Sequence, residues 1–310
     1  MKPEHSKKPD MVQLGIPVLM EFLTGAVTTG LPAALDGADT AIDAAARRLV
    51  DYKLGSIARR LRLLKQDLTG DNLDAGQVMA EIGRLYLLAS ALRQKTGAAE
   101  LDRYILTLAG RPIRRQQVLS NGATRQNVVC LGCRISRQEQ LRVRQCWFWL
   151  QKDAGYGMTL DFAPRSATLP PTLPAGVPHR ADVYYYPGPA PRRILLENTT
   201  PDSGFLVPRV EDITGALQLF RQLLGHNPWL LDFPVTIRGN LGLTSEGPVL
   251  SDASQNCLPI HKAHFPEALW RVIDDKLVDG VFGTWDGYTF VPVSWVIGNT
   301  VVENGGVEVS

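Results

Sequence analysis

The stretch that most restricts the fold is Leu141 to Phe162, LRVRQCWFWLQKDAGYGMTLDF. It reads as two strands joined by a turn. Trp147, Phe148 and Trp149 are consecutive, so both faces of the first strand offer large apolar area, and aromatic residues favour a pleated surface. Asp153, Ala154, Gly155 and Gly157 supply the turn. A second hairpin follows at Ala181 to Glu197, ADVYYYPGPAPRRILLE, turning at Pro187-Gly188-Pro189. With Asn127 to Ile135, Glu139 to Leu150, Met158 to Ala163, Ala181 to Tyr186 and Arg192 to Glu197 as strands, five short strands predict a small antiparallel barrel resembling an OB or SH3-like module. The Pro-rich segment from Pro164 to Pro178 is expected to be an exposed loop.

Ahead of this β region the apolar spacing is helical. Ile42, Ala45, Ala46 and Leu49 form one stripe. Ile57, Leu61, Leu64 and Leu68 form a second after a break at Gly55. Val78, Ile82, Leu85, Ala89 and Leu92 form a third, with Asp74 placed to cap it. A last helix, Ala98 to Ala109, ends at Gly110, and Pro112 prevents its continuation. Behind the β region, Glu211 to Leu224 and Phe265 to Leu277 read as helices. Phe233 to Ile237, Leu241 to Thr244 and Pro248 to Ile260 read as strands. Asp286-Gly287 between two apolar runs predicts a two-residue hairpin turn.

The fold class is therefore α+β, with an N-terminal helical bundle, a central small antiparallel β-barrel-like domain and a C-terminal mixed α+β region. The expected divisions are a disordered tail at 1–15, a helical domain at 16–112, an antiparallel β domain at 113–200 and a mixed domain at 201–310. Met11 to Val27 is mostly apolar but interrupted by Gln13, Pro17 and Glu21. It reads as too short and too broken for a membrane span, and as a helix packed on the bundle.

Net charge is only +2, but its distribution is uneven. Between Arg111 and Leu150 there are eight arginines and one acid, Glu139, which makes that segment +7 and the remainder −5. Such asymmetry marks a surface for nucleic acid or an acidic protein, or else solvated strand faces. Arg114, Arg115, Arg142 and Arg144 are the candidate binding residues, forming one exposed basic surface. Arginine for phosphates with aromatic residues for stacking is how small barrels hold single strands. Trp147 and Trp149 read more simply as core, because aromatic side chains dominate burial.

Four cysteines in a chain of 310 residues do not make a disulfide framework, so a reducing cytoplasm is the expected compartment. Cys130 and Cys133 form a CxxC, which is half of a zinc site or a redox pair. A weak four-ligand set adds His261 and His264. The simpler reading is buried thiols, since no helix begins at the motif and free cysteine is inert when buried. Ser251, Asp252, Cys257, His261 and His264 lie close in sequence, but nothing in their spacing enforces a nucleophile–base pair. Asp274-Asp275 reads as a solvated helix end. There is no phosphate-binding Gly-rich loop and no nucleophile elbow. No catalytic residue, metal or cofactor is expected.

RRLVDYKLGSIARRLRLL and EIGRLYLLASALR, the strand RVRQCWFWLQKD, and the hairpins YYYPGPAPRRILLE and GTWDGYTFVPVSW together resemble bacterial SWIM zinc-finger family proteins, in the region that follows the finger. The resemblance spans roughly Glu21 to Val302. The finger itself, Cys-x-Cys followed by Cys-x-His, is absent, and with it the four zinc ligands. Family members often occur beside a MoxR-like AAA ATPase and a von Willebrand A-domain protein, so the resemblance implies a partner in a chaperone-like complex. The function expected is a non-catalytic adaptor or scaffold. The alternatives are a nucleic-acid-binding module using the basic β surface and, third, a hydrolase of unknown substrate.

Overall fold

The computed structural model describes residues 10–30, 40–69, 74–138, 140–204, 210–260, 279–297, 300–303 and 308–309. The chain divides into two compact units, Met1–Arg114 and Arg115–Ser310.

The first unit is helical: α1 (Met11–Thr29), α2 (Ala41–Asp51), α3 (Gly55–Thr69), α4 (Ala75–Gln94) and α5 (Ala99–Ala109). The apolar stripes read from the sequence are buried, from Ile42 and Leu49 through Ile57, Leu61 and Leu64 to Val78 and Leu92, with Leu68 at the end of the second stripe only half-buried. Capping sets the boundaries. Asp10, Thr40 and Asp74 each accept a backbone N–H of the helix they begin, and Gly110 closes α5 in the left-handed conformation. Arg60 grips Glu81 through two hydrogen bonds of 2.6 and 3.0 Å, tying α3 to α4.

Two expectations change here. The tail assigned to 1–15 gives way to helix at Met11, because Asp10 is an N-cap and Val12, Gly15 and Ile16 are buried. The first helix is also unbroken. Pro17 sits in its second turn, and at 19 residues with mean hydropathy 1.5 it is long and apolar enough to cross a membrane. Val12, Ile16, Leu19, Leu23 and Ala26 are nonetheless buried within the bundle.

The second unit opens with the short α6 (Arg115–Leu119) and a barrel of β1 (Thr124–Gln138), β2 (Leu141–Leu150), β3 (Gly155–Pro164), β4 (Pro178–Tyr185) and β5 (Arg192–Pro201). Pairing runs β1–β2–β3–β5–β4 and returns to β1, so the sheet closes. The expected all-antiparallel barrel is corrected at one seam: β3 and β5 run parallel, through Gly157↔Arg192 and Met158↔Arg193 alone. A closed five-stranded ring with this crossover is OB-type connectivity rather than SH3-like. Strand β1 serves both neighbours by bending. Residues 124–129 pair with β4 and residues 128–138 with β2, Val128 and Val129 serving both, with a register shift between Cys130 and Gly132. At Gly132, φ is +143° and a Cβ would stand 2.7 Å from Val293, so glycine is required by the approach of the strand packed outside.

That outer layer is a five-stranded sheet, ordered β13 (Thr300–Glu303), β12 (Phe290–Ile297), β11 (Gly280–Trp285), β7 (Phe233–Ile237) and β6 (Val210–Glu211). Both its faces are covered. Val281, Trp285, Phe290 and Trp295 join Ile213, Ala216 and Phe220 of helix α7 (Ile213–His226) and Leu241, Leu250 and Leu258 of a three-stranded sheet. That small sheet is β8 (Asn240–Thr244), β9 (Gly247–Ser251) and β10 (Cys257–Pro259). Phe282, Val293, Val296 and Val301 face the opposite way, onto Val129, Leu131, Trp147 and Trp149 of the barrel. Barrel and sheet therefore share one core. A final short strand, β14 (Glu308–Val309), lies parallel to β1 at Ile135 and Ser136.

The hairpin at Asp286-Gly287 is real but longer than read. Trp285 pairs with Phe290, leaving a four-residue loop in which Asp286 accepts from Tyr288 N and Thr289 N at 2.7 Å. Gly287 has φ +103°, the left-handed value its place in the loop demands. The helix expected at Phe265 to Leu277 lies outside the described residues, as does Asp274-Asp275.

Candidate functional site

The basic segment does not present the four candidate arginines on one exposed face. Arg144 is 8% exposed and donates to Asp161 at 2.6 Å and to Pro170 O at 2.5 Å. It is an internal ion-pair partner, because alternation on β2 turns it toward the neighbouring strand's carboxylate. Arg142, two residues earlier, is half-buried. Arg115 is exposed and ion-paired with Glu197. Arg114 is exposed but belongs to the helical unit.

Other arginines of the segment are also engaged. Arg134 donates to Gln145 and Asp232 at 2.9 Å and lies over the Trp147 ring at 5.3 Å. Arg125 donates to Asp182 at 3.3 Å and to Asn198 O at 2.7 Å. Trp147 and Trp149, the residues on which bases would stack, are 1% and 8% exposed beneath the outer sheet.

The cysteines pair differently from the CxxC reading. Cys133 is bonded to Cys146, directly across from it on β2, while Cys130 lies outside the disulfide, buried in the barrel core. Residues one strand apart in register meet, whereas Cys130 and Cys133 sit on one strand with the bulge between them. The set Cys130, Cys133, His261 and His264 thus loses Cys133 to the disulfide, and both histidines lie outside the described residues. Among the described residues no three His, Cys, Asp or Glu side chains group to hold a metal.

Asp252, considered with the nucleophile candidates, has a structural task. It accepts from Ile213 N, Ser254 N, Asn256 N and Asn256 Nδ2 at 2.9 to 3.2 Å. Burial pushes its carboxyl upward, but these four donors outweigh it and hold the group below the usual carboxylate range. Ser251 donates to Asn240 O, and Cys257 is exposed.

A second network went unread in the sequence. Tyr185 donates to Asp153, and Gln126 Nε2 donates to both, pinning the β2–β3 turn to β4. Burial, then the Asp153 carboxylate, push the Tyr185 phenol well above its ordinary value.

The geometry instead points to the seam between β3 and β5. A cavity of about 480 Å³ lies there, within the size range of ligand sites. From β3 it is lined by Thr159, Leu160 and Asp161, and from β5 by Leu195 and Leu196. Successive residues of a strand face opposite ways, so a cavity touching three in a row runs along the strand edge, not against a face. Phe148 forms the floor, and Pro170 to Leu173 of the Pro-rich loop form one wall. Arg193 reaches across the seam to Leu160 O at 3.4 Å and lies 4.3 Å over the Tyr186 ring. Burial lowers the pKa of its guanidinium. No periodicity or motif marks this cleft, since it is created by where two strands stop pairing.

In the helical unit, α4 is apolar on more than one side. Its inner stripe is buried, but Met79, Tyr86 and Leu87 are 52%, 49% and 47% exposed. Positions seven and eight apart share a helix face, so the three make one row. Gly83, between them, has open space where a side chain would stand.

A family model described as the SWIM-associated four-helix bundle domain matches residues 7–108, which contain α1 to α4 and nearly all of α5. No curated protein and no solved structure matches the chain.

Proposed function

We propose, from the premise that the helical unit is a SWIM-associated four-helix bundle domain, that the protein is a non-catalytic adaptor in a multiprotein assembly. The observation that carries this reading is the exposed row of Met79, Tyr86 and Leu87 on α4. Methionine adapts to varied partners, and tyrosine is enriched among the residues that dominate protein interfaces. A second support is negative: the barrel's aromatic face is occupied by the protein's own sheet, which leaves no stacking platform for nucleic acid there. The partners implied by the family resemblance are a MoxR-like AAA ATPase and a von Willebrand A-domain protein.

The test uses those two proteins, purified from the same organism, against the full chain and the variant Met79→Ser, Tyr86→Ser, Leu87→Ser. Binding by the native chain, weakened about tenfold or more in the variant, is expected for central interface residues. If neither partner binds, or the variant binds as well as the native chain, the reading fails. Binding of single-stranded DNA with a steep salt dependence would favour the nucleic-acid alternative instead.

A further inference from the structure

We propose that the β3–β5 seam is a docking slot for an extended, largely apolar peptide of a protein partner, added as a strand to the open edges of the barrel. β3 from Thr159 to Ala163 pairs with β2 alone, and β5 from Ile194 to Glu197, ahead of the bulge at Asn198, pairs with β4 alone, among the described residues. Each strand therefore turns an open edge, with backbone N–H and C=O groups at strand spacing, toward the cavity between them. The group that satisfies such a row is another main chain in extended form, the basis of strand addition.

The barrel already takes an added strand elsewhere. β14 lies on the outer edge of β1 at Ile135 and Ser136. At the seam, Arg193 covers only one carbonyl, that of Leu160, and its Nε is buried with no acceptor. A buried donor left without a partner is unfavourable, and an incoming carbonyl would relieve it.

The lining selects the side chains. Leu160, Leu195, Leu196, Phe148 and Pro171 are apolar. Two of the charged groups at the slot are already matched, Asp161 by Arg144 and Arg115 by Glu197, and the third, Arg193, keeps one donor for a peptide carbonyl. Away from Arg193, an occupant bringing a further charge would bury it unpaired, so the inward positions of the peptide facing Leu195, Leu196 and Phe148 are uncharged. The proposal rests on the adaptor reading for its source of peptide, but not on α4.

The probe is a displayed library of random linear peptides, selected on the immobilised full chain and followed by synthesis of the enriched sequence. Peptides alternating in apolar residues are expected to enrich. Bound, they should slow amide exchange at 159–163 and 194–197. Thr159→Lys and Thr199→Lys, which place a long cation in the slot, should each weaken binding about tenfold or more. Both variants should melt as the native chain does, and the α4 triple variant should bind the peptide unchanged. The proposal is overturned if no peptide enriches, or if the enriched peptide protects α4 instead; the second result leaves the adaptor reading standing. It is also overturned if protection at the seam rises with protein concentration alone, since the occupant is then a second copy. Peptide binding at the seam together with failure of both named partners would leave the slot and remove the assembly proposed above.

Discussion

Arg144 shows what the basic segment is for at the scale of one residue. Its guanidinium is placed where β2, β3 and the Pro-rich loop meet, and it serves all three through Asp161 and Pro170 O. Removing one member of a buried pair strands the other. Arg144→Ser should therefore destabilise the protein by about 3 kcal/mol, the low end for a buried pair because Asp161 keeps some contact with water. Arg144→Met with Asp161→Leu should recover most of that loss, since an apolar pair of similar volume avoids the desolvation. Urea unfolding of the three proteins checks it; a change under about 0.5 kcal/mol for Arg144→Ser, the range of ordinary surface substitutions, would mean the pair is solvated. Arginine is rarely buried without a partner, but a sequence does not say which carboxylate will face it. Asp161 is 17 residues away and becomes a neighbour only through the register Arg144↔Asp161.

At the scale of elements, the β1–β2 hairpin is closed twice, by its strand pairing and by Cys133–Cys146, 13 residues apart. A crosslink over a loop of that length removes unfolded-chain entropy equivalent to about 3 kcal/mol at 25 °C. Thermal melting with and without reductant, beside the variant Cys133→Ala, Cys146→Ala, should show the oxidised protein more stable by about that amount, and the variant insensitive to reductant. Equal melting in all four conditions would show that the native hairpin does not depend on the bond.

Elements of this protein were largely legible where one face is apolar and the other polar. The stripes of α2, α3 and α4 and the cap at Asp74 follow from local spacing alone. The strands were found to within a few residues from aromatic and β-branched runs bounded by turn residues, several of them buried on both faces. What local spacing does not carry is pairing across distance. The parallel β3–β5 seam, the Cys133–Cys146 partnership and the candidate cleft all depend on which strands lie together. The candidate cleft in particular consists of Thr159, Leu160, Leu195 and Leu196, residues unremarkable in sequence and brought together only by an interrupted ladder.

At the scale of the whole second unit, the outer sheet is the lid of the barrel. Val129, Leu131, Trp147 and Trp149 are covered by Phe282, Val293, Val296 and Val301, and Tyr156 bonds to Thr236 of β7. A chain ended after Pro201 would keep all five barrel strands but leave that aromatic face in water. It should aggregate, or bind a hydrophobic dye strongly where the full chain does not, because contiguous apolar surface of this kind drives association. A soluble, dye-silent truncated chain would show that the barrel repacks its own surface. The same packing explains why consecutive Trp147, Phe148 and Trp149 are all buried: Phe148 fills the barrel while its neighbours meet the sheet.

The distance along the chain between barrel and lid also has a consequence in time. The barrel strands end at Pro201, and among the described residues the last that covers their aromatic face is Val301. A ribosome adding about 5–20 residues per second needs roughly 5–20 s to make that interval. Throughout it, a barrel able to close would trail from the ribosome with its tryptophans bare. Nascent chains of this protein are thus exposed to chaperones, and to one another on crowded polysomes, for as long as translation of the last third takes. Slowing codons between Pro201 and Val301 should lower the soluble yield without altering a single residue.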